Sequence, residues 1–503
     1  MIFPLMQNPS PASHLLPFQP TLCPALPVVL GNGDYHEFEV QLRRMDPILI
    51  ASGVETAFVE QSLAQFAQQS PAATLPARQH HQQHSYRALR CTVLRGLRGE
   101  DFRGLSRRLA ECPLFRWFCG LEELGAVRVP GKSTLQEYAH WLPVATLRPL
   151  LDRLILAAHQ PAGAAALELA HGIELDTVWL DTTCLKTNLH FPVAWVWLGD
   201  AVRTLMKAVR LIRTHGLKQR MAPPEEFLKA MNRLSIQMTF ARRATDSQKQ
   251  RKKILRLMKQ QLTVVTGHAR RHRELLDKDW RQTDWTRPQA EPVLRRMDHV
   301  LALLPPAQQQ AHERIIGERR VDNADKVLSL YETDTRVIVR GKAGASVEFG
   351  NPLVLGEPRN GLIVDWQLYR ATAPADVRQL APSLKRMATA FGTDVIRAVG
   401  ADRGLSSAAN EALLLSKGIY DGICPKAPAR LKERMGEAHF VSLQRRRSQT
   451  EGRIAIFKNG FLGRPMLAKG FEHRELAVSW QVLTHNLWVL ARLEHKPALA
   501  LAA

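Results

Sequence analysis

Three acidic residues far apart along the chain carry the chemistry that this sequence offers. Asp181 falls near the end of a run of β-formers from Ile173 to Thr183, and Asp402 follows the apolar run Val395 to Ala401. Glu451 lies in basic helical sequence, with Arg447 four residues before it and Lys458 seven after. Spacings of four and seven put these three side chains on one helical stripe, so one carboxylate and two cations would face a single point. Carboxylates delivered this way suit phosphodiester cleavage. In-line displacement needs stabilisation of both the attacking and the leaving oxygen, which two divalent cations about 3.5–4 Å apart can supply. Mg²⁺ prefers carboxylate oxygens and keeps part of its water, so a few acids suffice. Arg and Lys beside the acid would hold flanking phosphates, Arg through a bidentate fork.

Such a set needs elements to hold it. In open α/β sheets, ligand chemistry collects at the C-terminal ends of strands, where Asp181 and Asp402 are expected. After about residue 315 the pattern runs strand, strand, strand, helix, strand, helix, strand, helix. Thr335 to Arg340 reads as a strand, and Asn360-Gly361 reads as a hairpin turn between Asn351–Glu357 and Gly361–Tyr369. A helix from about Asp376 carries Leu380, Leu384, Met387 and Phe391 on one face. A second runs from about Ser406 to Lys417, before a strand from Tyr420 to Cys424. The fold class is therefore α/β, a mixed sheet flanked by helices and interrupted after its first strand.

The interruption, residues 201–315, returns to a 3.6-residue period. Val202, Leu205, Met206, Val209 and Ile212 form one stripe. Ile254, Leu255, Met258, Leu262 and Val265 form another, and Val293, Met297, Val300, Leu301 and Leu304 a third. Between residues 201 and 300 there are 24 Lys/Arg and 9 Asp/Glu, so 15 of the 22 net positive charges sit in a fifth of the chain. A basic helical insertion fits DNA backbone binding; a merely solvated helical face is the plainer alternative. Upstream, residues 86–165 read as short helices with tight breaks at Gly120, Gly125 and Pro130. Ser133-Thr134-Leu135-Gln136 forms a capping box for a helix through Trp141. This pattern fits either a helix-turn-helix-like DNA reader or an ordinary bundle. Residues 1–85 read as a loosely ordered leader and linker.

The 503 residues and net charge of +22 imply two or three domains and a polyanionic partner. No run of about 18 apolar residues exists, so no membrane span is expected, and the N-terminus lacks the basic region of a signal peptide. Six scattered cysteines match no zinc spacing and read as free thiols in a reducing cytoplasm. His80, His81 and His84 have no acidic or Cys partner nearby, which favours a solvated linker over a metal site. Gly125 to Ser133 has five residues between its glycines where a phosphate loop has four, and is rejected as one. Asp176, Glu348 and Asp365 are rival acids: Asp176 would face away from Asp181, and Asp365 reads as a structural acid in mid-strand. His485 reads as a packed or capping histidine.

These motifs together resemble the DDE-class transposases of bacterial insertion sequences, in the group with a Tyr-Arg-Glu-Lys signature around the last acid. The matching residues are Asp181 in Asp181-Thr182-Thr183, Asp402 in Ala401-Asp402-Arg403-Gly404, and Arg447, Glu451 and Lys458. Supporting segments are 188–192, Arg340-Gly341-Lys342, Glu348-Phe349-Gly350 and Thr484-His485-Asn486-Leu487-Trp488, so the resemblance spans about residues 90–495. Gln444 stands where the signature has Tyr, and Lys186 and Ala194 stand where relatives tend to carry acids. The resemblance implies an RNase H-like catalytic domain split into 170–200 and 316–495, with the basic insertion between. It implies Asp181, Asp402 and Glu451 as catalytic ligands of two Mg²⁺ ions, with Mn²⁺ able to substitute, and Arg447, Lys458 and Arg403 as phosphate-binding residues. The implied activity is metal-dependent cleavage at insertion-sequence ends, then strand transfer into target DNA. Double-stranded DNA, a homodimer in the synaptic complex and a cytoplasmic, nucleoid-associated location follow as expectations. An RNase H-like nuclease or resolvase, or an inactive DNA-binding protein derived from a transposase, would share these features.

Overall fold

The structure, a computed structural model, describes residues 15–17, 23–189, 193–241, 245–342, 345–371, 373–463 and 465–496. His190, Phe191 and Pro192 of the segment 188–192 lie outside them. The N-terminal part is helical: α1 (Gly33–Ala51), α2 (Val54–Gln69), α3 (Leu75–Arg98), α4 (Phe102–Glu111), α5 (Pro113–Phe118), α6 (Lys132–Ala139), α7 (Val144–His159) and α8 (Pro161–Ala166). Strand β1 (Thr177–Lys186) follows, then α9 (Val196–Thr214), α10 (Pro224–Ala241), α11 (Ser247–Asp279) and α12 (Arg287–Ile315). Next come β2 (Arg336–Lys342), β3 (Ala345–Pro358), β4 (Asp365–Leu368), α13 (Leu380–Phe391), β5 (Ala398–Ala401), α14 (Ala408–Ser416) and β6 (Tyr420–Ile423). The chain closes with α15 (Pro428–Arg434), α16 (Ala438–Ile456) and α17 (Phe471–Leu490).

The chain is mixed α/β, with a six-stranded sheet in the order β2-β3-β1-β5-β6 and β4 also pairing with β3. Strands β1, β5 and β6 run parallel, whereas β3 pairs antiparallel with β2 and with β4, so the sheet is mixed. Where β1 and β5 pair, both strands are buried throughout, from Thr177 to Leu180 and from Ala398 to Ala401, as a parallel pair inside an α/β unit requires. Gly400 pairs with Trp179, and a Cβ there would lie 2.5 Å from the Trp179 ring; only glycine lets the indole cross β5.

Two compact units emerge: residues 1–186 with 352–503, and residues 187–351. In the first, one hydrophobic core runs from Leu42 to Ala491 and includes both the N-terminal helices and the sheet. α3 and α7 pack on α17, and α2 packs on α3 and α7. The helices of 86–165 therefore share a core with the α/β part rather than forming a domain of their own. The second unit has a separate core from α9, α11 and α12. Leu205, Met206, Val209, Leu255, Met258, Leu262, Val265, Met297 and Val300 are all buried there, the inward stripes that the 3.6-residue period predicts.

Residues 33–85, in α1, α2 and the first part of α3, correct the expected loose leader and linker of 1–85. Asn32 caps α1 by accepting from the Tyr35 N–H at 3.0 Å, and Leu42, Met45, Ile48, Leu49, Phe58 and Val59 bury the facing sides of α1 and α2. The His-rich stretch is part of α3. His81 stacks between Phe66 (4.2 Å) and Trp141 (5.0 Å), and the Ser62 hydroxyl pairs with its Nε2 at 2.8 Å. Burial lowers the His81 pKa and takes that of His84 down to about 4, so both favour the neutral ring. Polar composition concealed a packing face. The proposed capping box is also displaced: α6 starts after Gly131 with no side-chain cap, leaving Ser133 inside the first turn. Among the described residues no helix is long and apolar enough to cross a membrane, and all six cysteines are free.

Candidate active site

Strand β1 extends to Lys186, so Asp181 is not at its end as the β-former run suggested. It stands where parallel pairing with β5 stops. The register pairs Leu180 with Ala401; Asp181 is the next residue of β1, and Asp402 is the first residue after β5. Asp402 keeps an extended backbone (φ −77°, ψ −179°), so the pleat carries through it. Neighbouring strands lie about 4.8 Å apart, and residues at one register level point to one face. Two half-buried carboxylates are thus side by side at the centre of the sheet. Backbone amides orient both: Thr182 N–H donates to Asp181 Oδ1 and Gly404 N–H to Asp402 Oδ1, each at 2.8 Å.

Gly404 reveals an acid that the sequence reading missed. A Cβ at this position would lie 2.9 Å from both Asp402 Oδ1 and Asp376 Oδ2. The two carboxylates flank the glycine, which leaves room between them. Asp376, in Pro-Ala-Asp ahead of α13, looked only like the start of a helix. Arg403, between Asp402 and Gly404, is exposed.

Helix α16 is clamped onto the sheet. The Trp179 indole N–H donates to Leu443 O at 3.0 Å, and Arg446 lies over the same ring, 4.9 Å from its centre. Gln444, standing where the signature has Tyr, donates to Gly422 O at 2.6 Å and Ala401 O at 3.3 Å. It ties the helix to the ends of β5 and β6. Buried Glu357 accepts from Thr450 at 2.8 Å and Arg446 at 3.2 Å; burial pushes its carboxyl upward in pKa against those two partners. One turn further round, Arg447 Nη1 donates to Glu451 Oε1 at 2.7 Å, the i,i+4 pair that the spacing predicted. Glu451 is 60% exposed.

Lys458 does not continue that stripe on an α-helix. It sits in a π-helical segment, Phe457–Leu462, and its Nζ donates to Thr183 Oγ1 at 2.7 Å. Thr183 lies two residues beyond Asp181, hence on the same face of β1, so the ammonium group and the carboxylate share that face. π-Turns recur at functional sites because they re-aim a side chain that a regular helix would misplace.

The donor set of Asp181 and Asp402 fits a hard cation that keeps water and binds through one or two carboxylates. A three-acid cage is not assembled: among the described residues, no three or more His, Cys, Asp and Glu side chains form a group that could hold a metal ion. The rival acids separate by environment. Asp176 is exposed and precedes β1, while Asp365 is 1% exposed and saturated by Ser383 and by Arg386 at 2.6 Å through both oxygens. Glu348 lies in the other unit, on β3. His485 is buried among Phe457, Phe461 and Trp488, and burial takes its pKa down to about 4, so it is a packed neutral ring. No protein-family model matches the chain, and no curated protein or solved structure is significantly similar to it.

Proposed function

We propose that the chain is a DDE-type transposase: a polynucleotidyl transferase that cuts DNA at insertion-sequence ends and joins the freed 3′ ends to target DNA. The observation that carries this reading is the parallel register of β1 and β5, whose last pair is Leu180 with Ala401, so that Asp181 and Asp402 follow it side by side at the centre of a mixed sheet. The strand succession supports an RNase H-like arrangement. An antiparallel pair β3–β4 lies on one side of β1, parallel β5 and β6 lie on the other, and a long insertion follows β1.

Asp181 and Asp402 would hold the divalent cation, with Glu451 as the third acid. When bound, a pair of Mg²⁺ ions (or Mn²⁺) stabilises the attacking and leaving oxygens of an in-line displacement. The chain's own residues orient the substrate. Lys458, braced by Thr183, and exposed Arg403 offer positive charge to the phosphates on either side of the scissile bond. Arg447 fixes the carboxylate of Glu451 and can turn its fork to a phosphate when that carboxylate is drawn inward. Handling two DNA ends at once fits a homodimer.

Nicking of an end-containing duplex in Mg²⁺ or Mn²⁺ tests this, with Asp181→Ala, Asp402→Ala and Glu451→Gln alongside. Loss of nicking with DNA binding kept is the expected outcome. Undiminished nicking by purified Asp402→Ala sinks the assignment, and cut ends that never join target DNA point to a nuclease or resolvase instead. A second reading, an inactive DNA-binding protein on the same scaffold, is favoured by the exposed Glu451 and the missing three-acid group among the described residues. It expects salt-sensitive binding and no cleavage with either metal.

A further inference from the structure

The charge of the 187–351 unit is not spread evenly. From Ser247 to Arg273, helix α11 carries nine Lys/Arg and no Asp/Glu. Its first acid is Glu274, and near its end Arg273 pairs with Asp277 of the same helix and with Asp298 of α12. Lys249, Lys253, Arg256, Gln260, Thr263 and Arg270 are all exposed, at spacings of four, three, four, three and seven. They form one outward stripe, opposite the buried Leu255, Met258, Leu262 and Val265. Among the described residues, Lys249, Lys253, Arg256 and Arg270 make no salt bridge, whereas Lys252 pairs with Glu318.

Helix stability does not explain this pattern; it opposes it. Cations in the first turns face the positive end of the helix dipole, and the first turn holds no acid. Lys249 and Lys253, and Lys252 and Arg256, are like-charge pairs four apart, which repel. A ligand rich in negative charge would relieve both penalties. From residue 249 to 270 the stripe is about 32 Å long at 1.5 Å per residue, close to the roughly 34 Å of one duplex turn.

We propose that the outward face of α11 is where this unit takes a nucleic-acid duplex by its phosphate backbone, without reading sequence. The side chains on the stripe are Lys ammonium groups, Arg guanidinium forks and uncharged polar groups, which suit phosphates. A bilayer surface is disfavoured because the apolar side of α11 is committed to the unit's own core and cannot enter lipid. The proposal builds on DNA as the substrate, and adds where and how the duplex is held.

The test uses the full chain in chelator, so that binding is read without cleavage. Lys253→Glu/Arg256→Glu is compared with a control of equal charge change at exposed positions of the other unit, Lys385→Glu in α13 and Lys417→Glu just after α14. A labelled duplex of arbitrary sequence is titrated across a series of salt concentrations. The α11 variant should lose at least about tenfold in affinity near 100 mM salt, and its slope of log K against log salt should shrink by about 1.8, or 0.9 for each lost phosphate contact. The control should stay within about twofold. Equal losses in the two variants would reduce the effect to bulk charge and overturn the proposal. So would anionic vesicles that outcompete the duplex. Helical content and Tm are followed in parallel, and Lys253→Gln/Arg256→Gln repeats the reading if the double Glu variant misfolds. Intact binding through α11 with no cleavage in any metal would remove the transposase reading and leave this one standing.

Discussion

Asp365 and Asp402 belong to the same sheet and are both aspartates, yet their surroundings are opposites. Asp365 opens β4 against β3, is wholly buried, and spends both oxygens on Arg386 and Ser383, with Arg148 at 3.7 Å. Asp402 follows the last parallel pair, is half-buried, and is oriented by one backbone N–H, with a second carboxylate facing it across Gly404. An acid saturated by cations holds elements together. One that keeps another carboxylate at its side and a solvent path is arranged for a cation from outside. A charge count along the chain cannot tell these apart.

The contrast can be broken or sharpened by measurement. The largest effect should come from Asp402→Ala: a fall of about a thousandfold or more in Mg²⁺-dependent nicking, with unfolding free energy changed by less than about 1 kcal/mol. Asp365→Ala should behave oppositely, losing about 3–5 kcal/mol in denaturant unfolding because Arg386 and Arg148 are left without their buried counter-charge. If both lose stability alike, the distinction fails.

His485 supplies a pH test of the packed histidine. Its native pKa, about 4, lies below the unfolded value near 6.5. The unfolded chain therefore binds the proton first as pH falls. Its contribution to stability is intact above about 6.5, drops by about 1.4 kcal/mol per pH unit between 6.5 and 4, and levels off below. Urea titrations of the wild type and His485→Gln should differ in slope across that window; parallel curves would place the ring in water. Thr183→Val removes the brace of Lys458 without changing shape. A rate loss of about five- to tenfold, about 1 kcal/mol, is expected with duplex binding kept, and Thr183→Ser should restore it. Glu451→Gln should change stability least, by no more than about 0.5 kcal/mol, since its pair with Arg447 is largely exposed. A larger drop would mean that Glu451 is structural.

Much of this was legible beforehand. Period and turn chemistry gave β2, the β3–β4 hairpin, α13, β5, α14 and β6, and the inward stripes of α9, α11 and α12, because burial there follows local spacing. Two regions were not. Residues 33–85 pack through scattered apolar positions and aromatic-stacked histidines, a face that their Gln/His-rich composition hides. The partners of Gln444, Glu357 and Asp376 arise from contacts between segments far apart in sequence, for which one chain carries no local signal. The Arg447–Glu451 pair was readable because it is four residues long; the turn that re-aims Lys458 was not.

The register of β1 against β5 also sets an order of events during synthesis. Thr177 pairs with Ala398, 221 residues downstream. At translation rates of about 5–20 residues per second, β1 waits some 10–45 s for that neighbour, while the intervening helices, with a core of their own, can settle first. The carboxylate pair is then among the last features of the nascent chain to come into being. A message truncated ahead of codon 398 would yield a polypeptide bearing the basic helices without the pair of acids.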